Sequence, residues 1–414
     1  MNHPLRAALC VLAFSQAHAE LGPPAEQQID LELGLQTRTF LHSGLVGQSS
    51  FQPSLSARLD YYRSWDQDRQ SFTLSPFVRL DAEDSERSHF DIRELFWSRV
   101  GDDWDLHLGA KQVFWGVTEF KHLVDVVNQT DLVENIDGED KLGQPMAHLS
   151  LVRDWGILDF MLLTGFRERT FPGPDGRLRY VLPVVDDATY ESGAENLRVD
   201  AVVRWSHVVG PLEWGLYHFS GTSREPLLIP ERSDGDDLQL RPYYPLIEQT
   251  GLDAQVILGD WALKLEAISN SGFDDDRFTA LNAGVERTLV GVLGSRANLG
   301  VVVEYMFDDR DDAAFDTLFE HDLALGTRWS LNDPADTQAL LGVIWDVETS
   351  EYVVSIEGSR RLGDTWTLLL EGRIFGGAAR PDPNALLESL FDADNKSASL
   401  QRDDFIQLEL TRYF

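Results

Sequence analysis

From residue 27 to the C-terminus the chain alternates apolar and polar positions in runs of about 10 to 16 residues, the period of a strand with two different solvents on its two faces. The pattern predicts strands over 27–42, 51–65, 70–82, 88–100, 103–115, 145–154, 156–166, 197–209 and 212–221. It continues over 243–258, 260–271, 277–293, 297–308, 316–330, 337–347, 351–362, 365–376 and 401–414, which makes eighteen. The punctuation alternates too. Tight turns such as Gly210-Pro211 and Leu258-Gly259-Asp260 alternate with long connections over 116–144, 167–196, 222–242 and 377–400, with 348–350 a short connection on the long side. An even number of antiparallel strands with short turns on one rim and long loops on the other predicts an all-β fold, a transmembrane up-and-down barrel with both termini on the short-turn, periplasmic side.

One long stretch breaks the period and reads as able to reach a central cavity. In the connection 116–144, Phe120, Leu123, Val124 and Val127 recur at the spacing of one helix face, and Thr118 stands where a helix cap would. Upright in water that apolar stripe would be exposed, so the expectation is a loop folded inward against the barrel wall, narrowing the pore. An extracellular lid is the plainer alternative.

Alternation also assigns faces. In the strand from 197, Val199, Ala201, Val203 and Trp205 suit lipid, while Arg198, Asp200 and Arg204 point inward, because charge facing the bilayer centre costs roughly 2 to 4 kcal/mol. The same argument turns Arg79, Lys111, Lys264, Arg328, Arg361 and Arg373 inward, with Asp159, Glu266, Glu304, Glu320, Asp322, Glu357, Glu371 and Glu409. The acidic remainder of the loop, with Asp131, Glu134 and Asp137, is then expected to oppose Arg93, Lys111, Arg198 and Arg204 across a constriction. In the strand 88–100, Glu94 falls on the face that Phe90, Ile92 and Phe96 claim for lipid, which a bulge, a neighbouring subunit or a different register would explain.

A Trp recurs just after the tight turns, in GDDWDLHLG, RDWGILDFML, GPLEWGLY, GDWALKLE and GDTWTLLLE. Trp104, Trp155, Trp214, Trp261 and Trp366 would form part of an aromatic girdle at the periplasmic interface. The last strand, QRDDFIQLELTRYF, places Ile406, Leu408, Leu410 and the final Phe414 on one face. It resembles the terminal strand of Gram-negative outer-membrane β-barrels, which end in an aromatic residue after alternating apolar positions; Arg412 departs from that pattern. The resemblance spans nearly the whole mature chain and implies a porin-like barrel of about eighteen strands, lodged in outer-membrane lipid and lipopolysaccharide and recognised through Phe414 by the barrel assembly machinery. It identifies no substrate.

Composition sharpens this picture in three ways. The first 19 residues, with Arg6, an apolar run from Ala7 to Phe14 and Ala17-His18-Ala19, read as a signal peptide, leaving 20–414 as one barrel without a linker. Cys10 lies in that leader, so the mature chain has no thiol chemistry. The formal charge of −34 argues against nucleic acid as a partner. Much of the excess sits in acidic runs at 81–87, 231–237, 274–277 and 308–316, solvated loops with a lesser prospect of holding calcium.

His107, His122, His148, His207, His218 and His321 are raw material for catalysis, but no nucleophile or metalloprotease motif accompanies them, and His218 with Ser220 reads as wall polarity. The expectation is a porin or channel for passive or weakly selective diffusion of small hydrophilic solutes, without a cofactor or catalytic metal and not an enzyme. A barrel hydrolase or a surface scaffold is the alternative, and the oligomeric state is left open.

Overall fold

The computed structural model describes residues 26–273, 277–310, 319–379, 382, 389, 392 and 395–414. The proposed leader, 1–19, and most of the acidic runs at 274–277 and 308–316 lie outside them.

The described strands are, in order, β1 (Gln27–Phe40), β2 (Phe51–Trp65), β3 (Gln70–Asp81), β4 (Phe90–Val100), β5 (Trp104–Lys111), β6 (Gln144–Arg153) and β7 (Gly156–Leu163). There follow β8 (Thr189–Tyr190), β9 (Asp200–Val209), β10 (Leu212–Thr222), β11 (Leu227–Arg232), β12 (Leu238–Tyr244), β13 (Leu246–Leu258) and β14 (Trp261–Ser271). The last are β15 (Phe278–Leu289), β16 (Asn298–Asp308), β17 (His321–Ser330), β18 (Gln338–Asp346), β19 (Tyr352–Arg361), β20 (Trp366–Gly376) and β21 (Phe405–Tyr413). Eighteen form one antiparallel ring in chain order, and β1 closes it by pairing with β21, so no wall edge is left open. The other three, β8, β11 and β12, make a small sheet within the long loops over a cluster of Leu182, Leu228 and Leu240. All eighteen expected wall strands are present, with ends shifted by a few residues.

Side chains alternate as two solvents require. Leu33, Leu55, Leu95, Leu263, Leu325 and Leu408 stand exposed on the outer face, whereas Asp200, Glu266, Glu304 and Asp322 are buried on the inner one. A water-facing surface of that extent would be strongly unfavourable, so the outer band is built for hydrocarbon. Among the described residues no helix is long and apolar enough to cross a membrane; the strands do the crossing.

The tight turns hold residues in the left-handed region: Gly210 and Gly259 have φ of 59° and 62°, where a Cβ would be strained. The start of β1 and the end of β21 lie on this rim, with Tyr413 opposite Glu32 and the Phe414 amide bonded to the Leu31 carbonyl at 3.0 Å. Trp104, Trp155, Trp214, Trp261 and Trp366 are at the same rim, Trp155 and Trp261 about half exposed. The unexpected Arg412 has its guanidinium 4.4 Å from the Phe414 ring centre and 5.4 Å from that of Trp366, so its charge rests on the aromatic faces.

The anomaly at Glu94 is a β-bulge. Ser75 pairs with Glu94 but Pro76 with Ile92, so Arg93 is an extra residue opposite a proline that has no N–H to give. The shift puts both Arg93 and Glu94 on the lumen side, and it turns Phe96 inward as well, against the expectation of lipid; Phe96 lies 5.8 Å from His107 and beneath the Lys111 ammonium.

Candidate functional site

Between β5 and β6, the segment 112–143 runs inside the ring. The strand expected to reach residue 115 stops at Lys111 because the next amides are taken up by the segment itself: Val113 N–H donates to Asn128 Oδ1 at 2.8 Å and Trp115 N–H to Asp125 Oδ1 at 2.7 Å. Val124 and Val127 are fully buried in a cluster with Met161, Tyr217 and Phe219 of the wall, half-buried Leu123 packs against it, and Phe120 packs on a second cluster with Met306, Ala324 and Ile344. Each fully buried side chain of this kind contributes about 1.5 to 3 kcal/mol.

The helix expected from their spacing does not form. Its amides have other acceptors: Val117 and Thr118 donate to Glu266 Oε1 at 2.7 and 3.0 Å, and Leu123 and Val124 to Oε2 at 2.7 and 3.3 Å. The Thr118 hydroxyl adds 2.7 Å to the same carboxylate. Glu119 and Phe120 donate to Glu304 at 2.7 and 3.0 Å. Charge-assisted acceptors outcompete neutral carbonyls for an N–H. Two wall carboxylates on β14 and β16 therefore shape the segment in place of its own backbone.

Phe120 marks the far contact. Its ring lies over Gly326 on β17 and Gly342 on β18, which are directly paired, and a Cβ at either would fall within 2.7 Å of ring carbons. Gly326→Val is expected to displace this ring while leaving the barrel folded. The check is a conductance higher or noisier than wild type with unchanged heat-shifted gel mobility; wild-type traces would show that the glycine dimple does not hold the segment.

Several acidic residues of the loop meet basic residues of the wall. Asp131, fully buried, meets Arg93 at 2.6 Å and accepts from Thr170 Oγ1 at the same distance; Asp137 meets Arg373 at 3.2 Å. Glu134 is gripped by Arg79, with Nε and Nη2 2.7 to 2.9 Å from its oxygens, and its carbonyl accepts from Arg38. Arg87 secures the neighbouring Val133 carbonyl at 2.8 Å.

Three of the expected basic residues form no ion pair with the loop's carboxylates, although Arg204 lies over the Trp115 ring at 5.0 Å and the Lys111 carbonyl accepts from Asn128 at 2.8 Å. Arg204 pairs with Asp253 at 2.8 Å across Gly215, whose missing Cβ leaves the gap, and Arg198 pairs with Asp200 at 2.6 Å. Lys111 lies over the Phe96 ring at 5.7 Å. Wall carboxylates two strands or two residues away claim the two arginines first.

Two cavities of about 380 and 310 Å³ flank the segment, and Glu139 and Lys141 line both. The larger, towards the long loops, combines Phe120, Leu123, Ile268 and Phe278 with Lys121, Lys141, Arg169 and Arg179. None of these four cations has a carboxylate salt-bridge partner within 4.0 Å among the described residues; Lys141 reaches Thr130 Oγ1 at 3.0 Å and Arg169 reaches Gln129 Oε1 at 3.3 Å. By contrast Arg310 in the same cavity is neutralised by Glu225 and Asp308 at 3.0 and 2.7 Å.

The loop's titratable groups respond to this enclosure. Burial works against a charged imidazole at His122, but Glu139 at 3.2 Å and Glu266 at 3.6 Å outweigh it and push the group up to about 10. Burial lifts Asp140 to about 7, helped by repulsion from Glu134 and Asp137. Burial lowers Lys141 to about 8, with Asp125 opposing and Arg169 and Lys121 assisting.

No family model matches the chain, and no curated protein matches it. Solved structures do. A BenF-like porin from Pseudomonas fluorescens aligns with 95% of this chain and 98% of its own at 10% identity, with a TM-score of 0.54. Pseudomonas aeruginosa OpdK, solved with vanillate, gives 94% and 98%, 8% identity and a TM-score of 0.53. Pseudomonas aeruginosa OccK2 (OpdF), solved in complex with glucuronate, gives 94% and 97%, 11% identity and 0.52. The fold is the eighteen-stranded porin barrel. At such identities the likeness speaks for architecture, and the porin-like reading of the terminal strand agrees with it.

Sequence reasoning turned Glu266, Glu304 and Arg79 inward without seeing what they hold. Gly326 and Gly342 did carry a signal, since glycine inside a strand marks close approach by another group. Arg38 and Arg87 carried none.

Proposed function

We propose that this porin barrel is an outer-membrane channel for small hydrophilic solutes, narrowed by segment 112–143 and favouring anions. The observation that carries the reading is the pair of cavities meeting at Glu139 and Lys141, the upper one lined by four cations with no carboxylate partner among the described residues. A chain of formal charge −34 that places four cations without a carboxylate salt bridge along its inner path draws anions there by local field rather than by net charge, with Asp125, Glu139 and Glu225 of the same cavity moderating that field. The solutes held by OpdK and OccK2, vanillate and glucuronate, each carry a carboxylate. Apolar residues in the same cavity would contact the solute's carbon frame.

Within this reading Arg93, Asp131, Glu134 and Asp137 hold the constriction in place. Arg198, Arg204 and Lys111 belong to the wall. The five rim tryptophans seat the barrel in the periplasmic interface, and Phe414 ends the strand that the assembly machinery would recognise.

An enzymatic role is disfavoured by the placement of His218 and Ser220. Both hydrogen-bond Glu248, at 3.0 and 2.7 Å, on the outward face of β10 beside exposed Leu216, away from the lumen. The test is reconstitution in a planar bilayer under a salt gradient. The expected result is a stable current with an anion-selective reversal potential. A folded barrel without current would sink the channel, and cation selectivity would sink the anion preference.

A further inference from the structure

On the inner wall of β4 to β7, away from both cavities, four polar side chains form a row across the strands. His107 on β5 and His148 on β6 are directly paired, with ring centres 5.5 Å apart and planes 36° from parallel. Outside them, Ser98 Oγ lies 2.7 Å from His107 Nδ1, and Asp159 Oδ1 lies 2.9 Å from His148 Nε2. Ser150 donates to the same carboxylate at 2.5 Å and lies 3.1 Å from His148 Nε2.

The contacts fix one tautomer. A carboxylate only accepts, so the proton of a neutral His148 sits on Nε2 and Nδ1 is left as a bare lone pair. That atom is buried, on a residue only 7% exposed, and has no hydrogen-bond partner among the described residues. A buried acceptor without a donor is unfavourable and needs a reason. Ser98 engages Nδ1 of His107 from β4, which leaves Nε2 as the ring nitrogen not held by Ser98.

We infer that His107 and His148 form a two-histidine site for a divalent transition-metal ion, with Asp159 as the positioning residue behind His148. A ring nitrogen whose far side donates to a carboxylate is how proteins orient and strengthen an imidazole ligand. Two metal–nitrogen bonds of about 2.1 Å span about 3 to 3.4 Å between the nitrogens, and edges of five-membered rings 5.5 Å apart leave about that gap. Among the described residues no group of three or more His, Cys, Asp or Glu side chains is placed to hold a metal. The remaining coordination positions therefore belong to water or another exchangeable donor, so the site is open. Copper(II) binds nitrogen ligands most strongly in the first-row series and is the probe to use. Lys111, on the same face of β5, limits the affinity by repulsion, and Asp159 offsets it.

The experiment is a Cu²⁺ titration of the tag-free, detergent-folded full chain, followed by electron paramagnetic resonance and calorimetry. Wild type is expected to show one tightest site with hyperfine structure from two imidazole nitrogens. The double variant His107→Ala/His148→Ala should lose that site, and Asp159→Asn should weaken it about tenfold. Heat-shifted mobility shows whether each variant is folded, and His148→Gln serves if the double variant is not. Equal affinity in wild type and either folded histidine variant, or a wild type with no two-nitrogen signal, overturns the site. Unchanged affinity in Asp159→Asn overturns the positioning role. None of these readouts depends on the barrel conducting.

Discussion

Replacing Glu266 and Glu304 together by alanine is expected to raise single-channel conductance several-fold and to add open-state noise. Both side chains are fully buried. Glu266 accepts four backbone amides and a hydroxyl from the inward segment, and Glu304 accepts two more amides. A hydrogen bond to a charged group is worth about 1.5 to 3 kcal/mol, so losing even two of the seven shifts the docked equilibrium by about 100-fold or more. Burial of Val124 and Val127 still draws the segment to the wall, so frequent excursions are expected rather than permanent release. Deleting 117–142 should give the larger, quieter pore that marks the limit. Glu266→Gln, which keeps one acceptor oxygen, should fall between. Wild-type conductance in the folded double variant would show that the carboxylates do not hold the constriction.

Selectivity should change with pH between about 9 and 6. As pH falls through about 8, Lys141 gains a positive charge, and as it falls through about 7, Asp140 loses a negative one. Both steps make the constriction more positive, by up to two charges, so the anion-to-cation permeability ratio should rise several-fold from pH 9 to pH 6. The groups facing Asp140 are Glu134, Asp137, Asp131 and Arg93; those facing Lys141 are Asp125, Glu139, Arg169 and Lys121. His122, held near 10, stays charged throughout this window and contributes a nearly constant field. Asp140→Asn should remove the lower step and Lys141→Gln the upper one, each read as a reversal potential in a salt gradient. A ratio that is flat with pH in wild type would place the narrowest point elsewhere.

What could be read along the chain and what could not divide along a physical line. Every wall strand was legible, because a residue between lipid and water has only two environments and the choice shows in each successive pair. Val203 and Arg204 on β9, or Leu265 and Glu266 on β14, declare their faces without reference to any other residue. The bulge at Arg93 showed as a contradiction at Glu94, and one extra residue opposite Pro76 resolves it. The apolar stripe Phe120, Leu123, Val124, Val127 correctly marked a segment that avoids water, yet its helical spacing was misleading, since acceptors on the wall replaced those of a helix.

The sequence by itself determined the barrel: its strands, which face of each meets lipid outside the β4 bulge, the short-turn rim, and an insertion able to enter the lumen. Tertiary structure decided what that insertion touches. Thr118 and Glu266 are 148 positions apart, and Glu119 and Glu304 are 185 apart. Only closure of the ring brings them together. It also decided which arginines the wall neutralises, as with Arg204 and Asp253 across Gly215, and which cations remain for a solute. The facing histidines of β5 and β6 belong to the same class, a consequence of cross-strand register that neither strand encodes alone. Alternation is a local response to two solvents, whereas ion-pair choice and backbone capture are competitions among distant groups for the same charge.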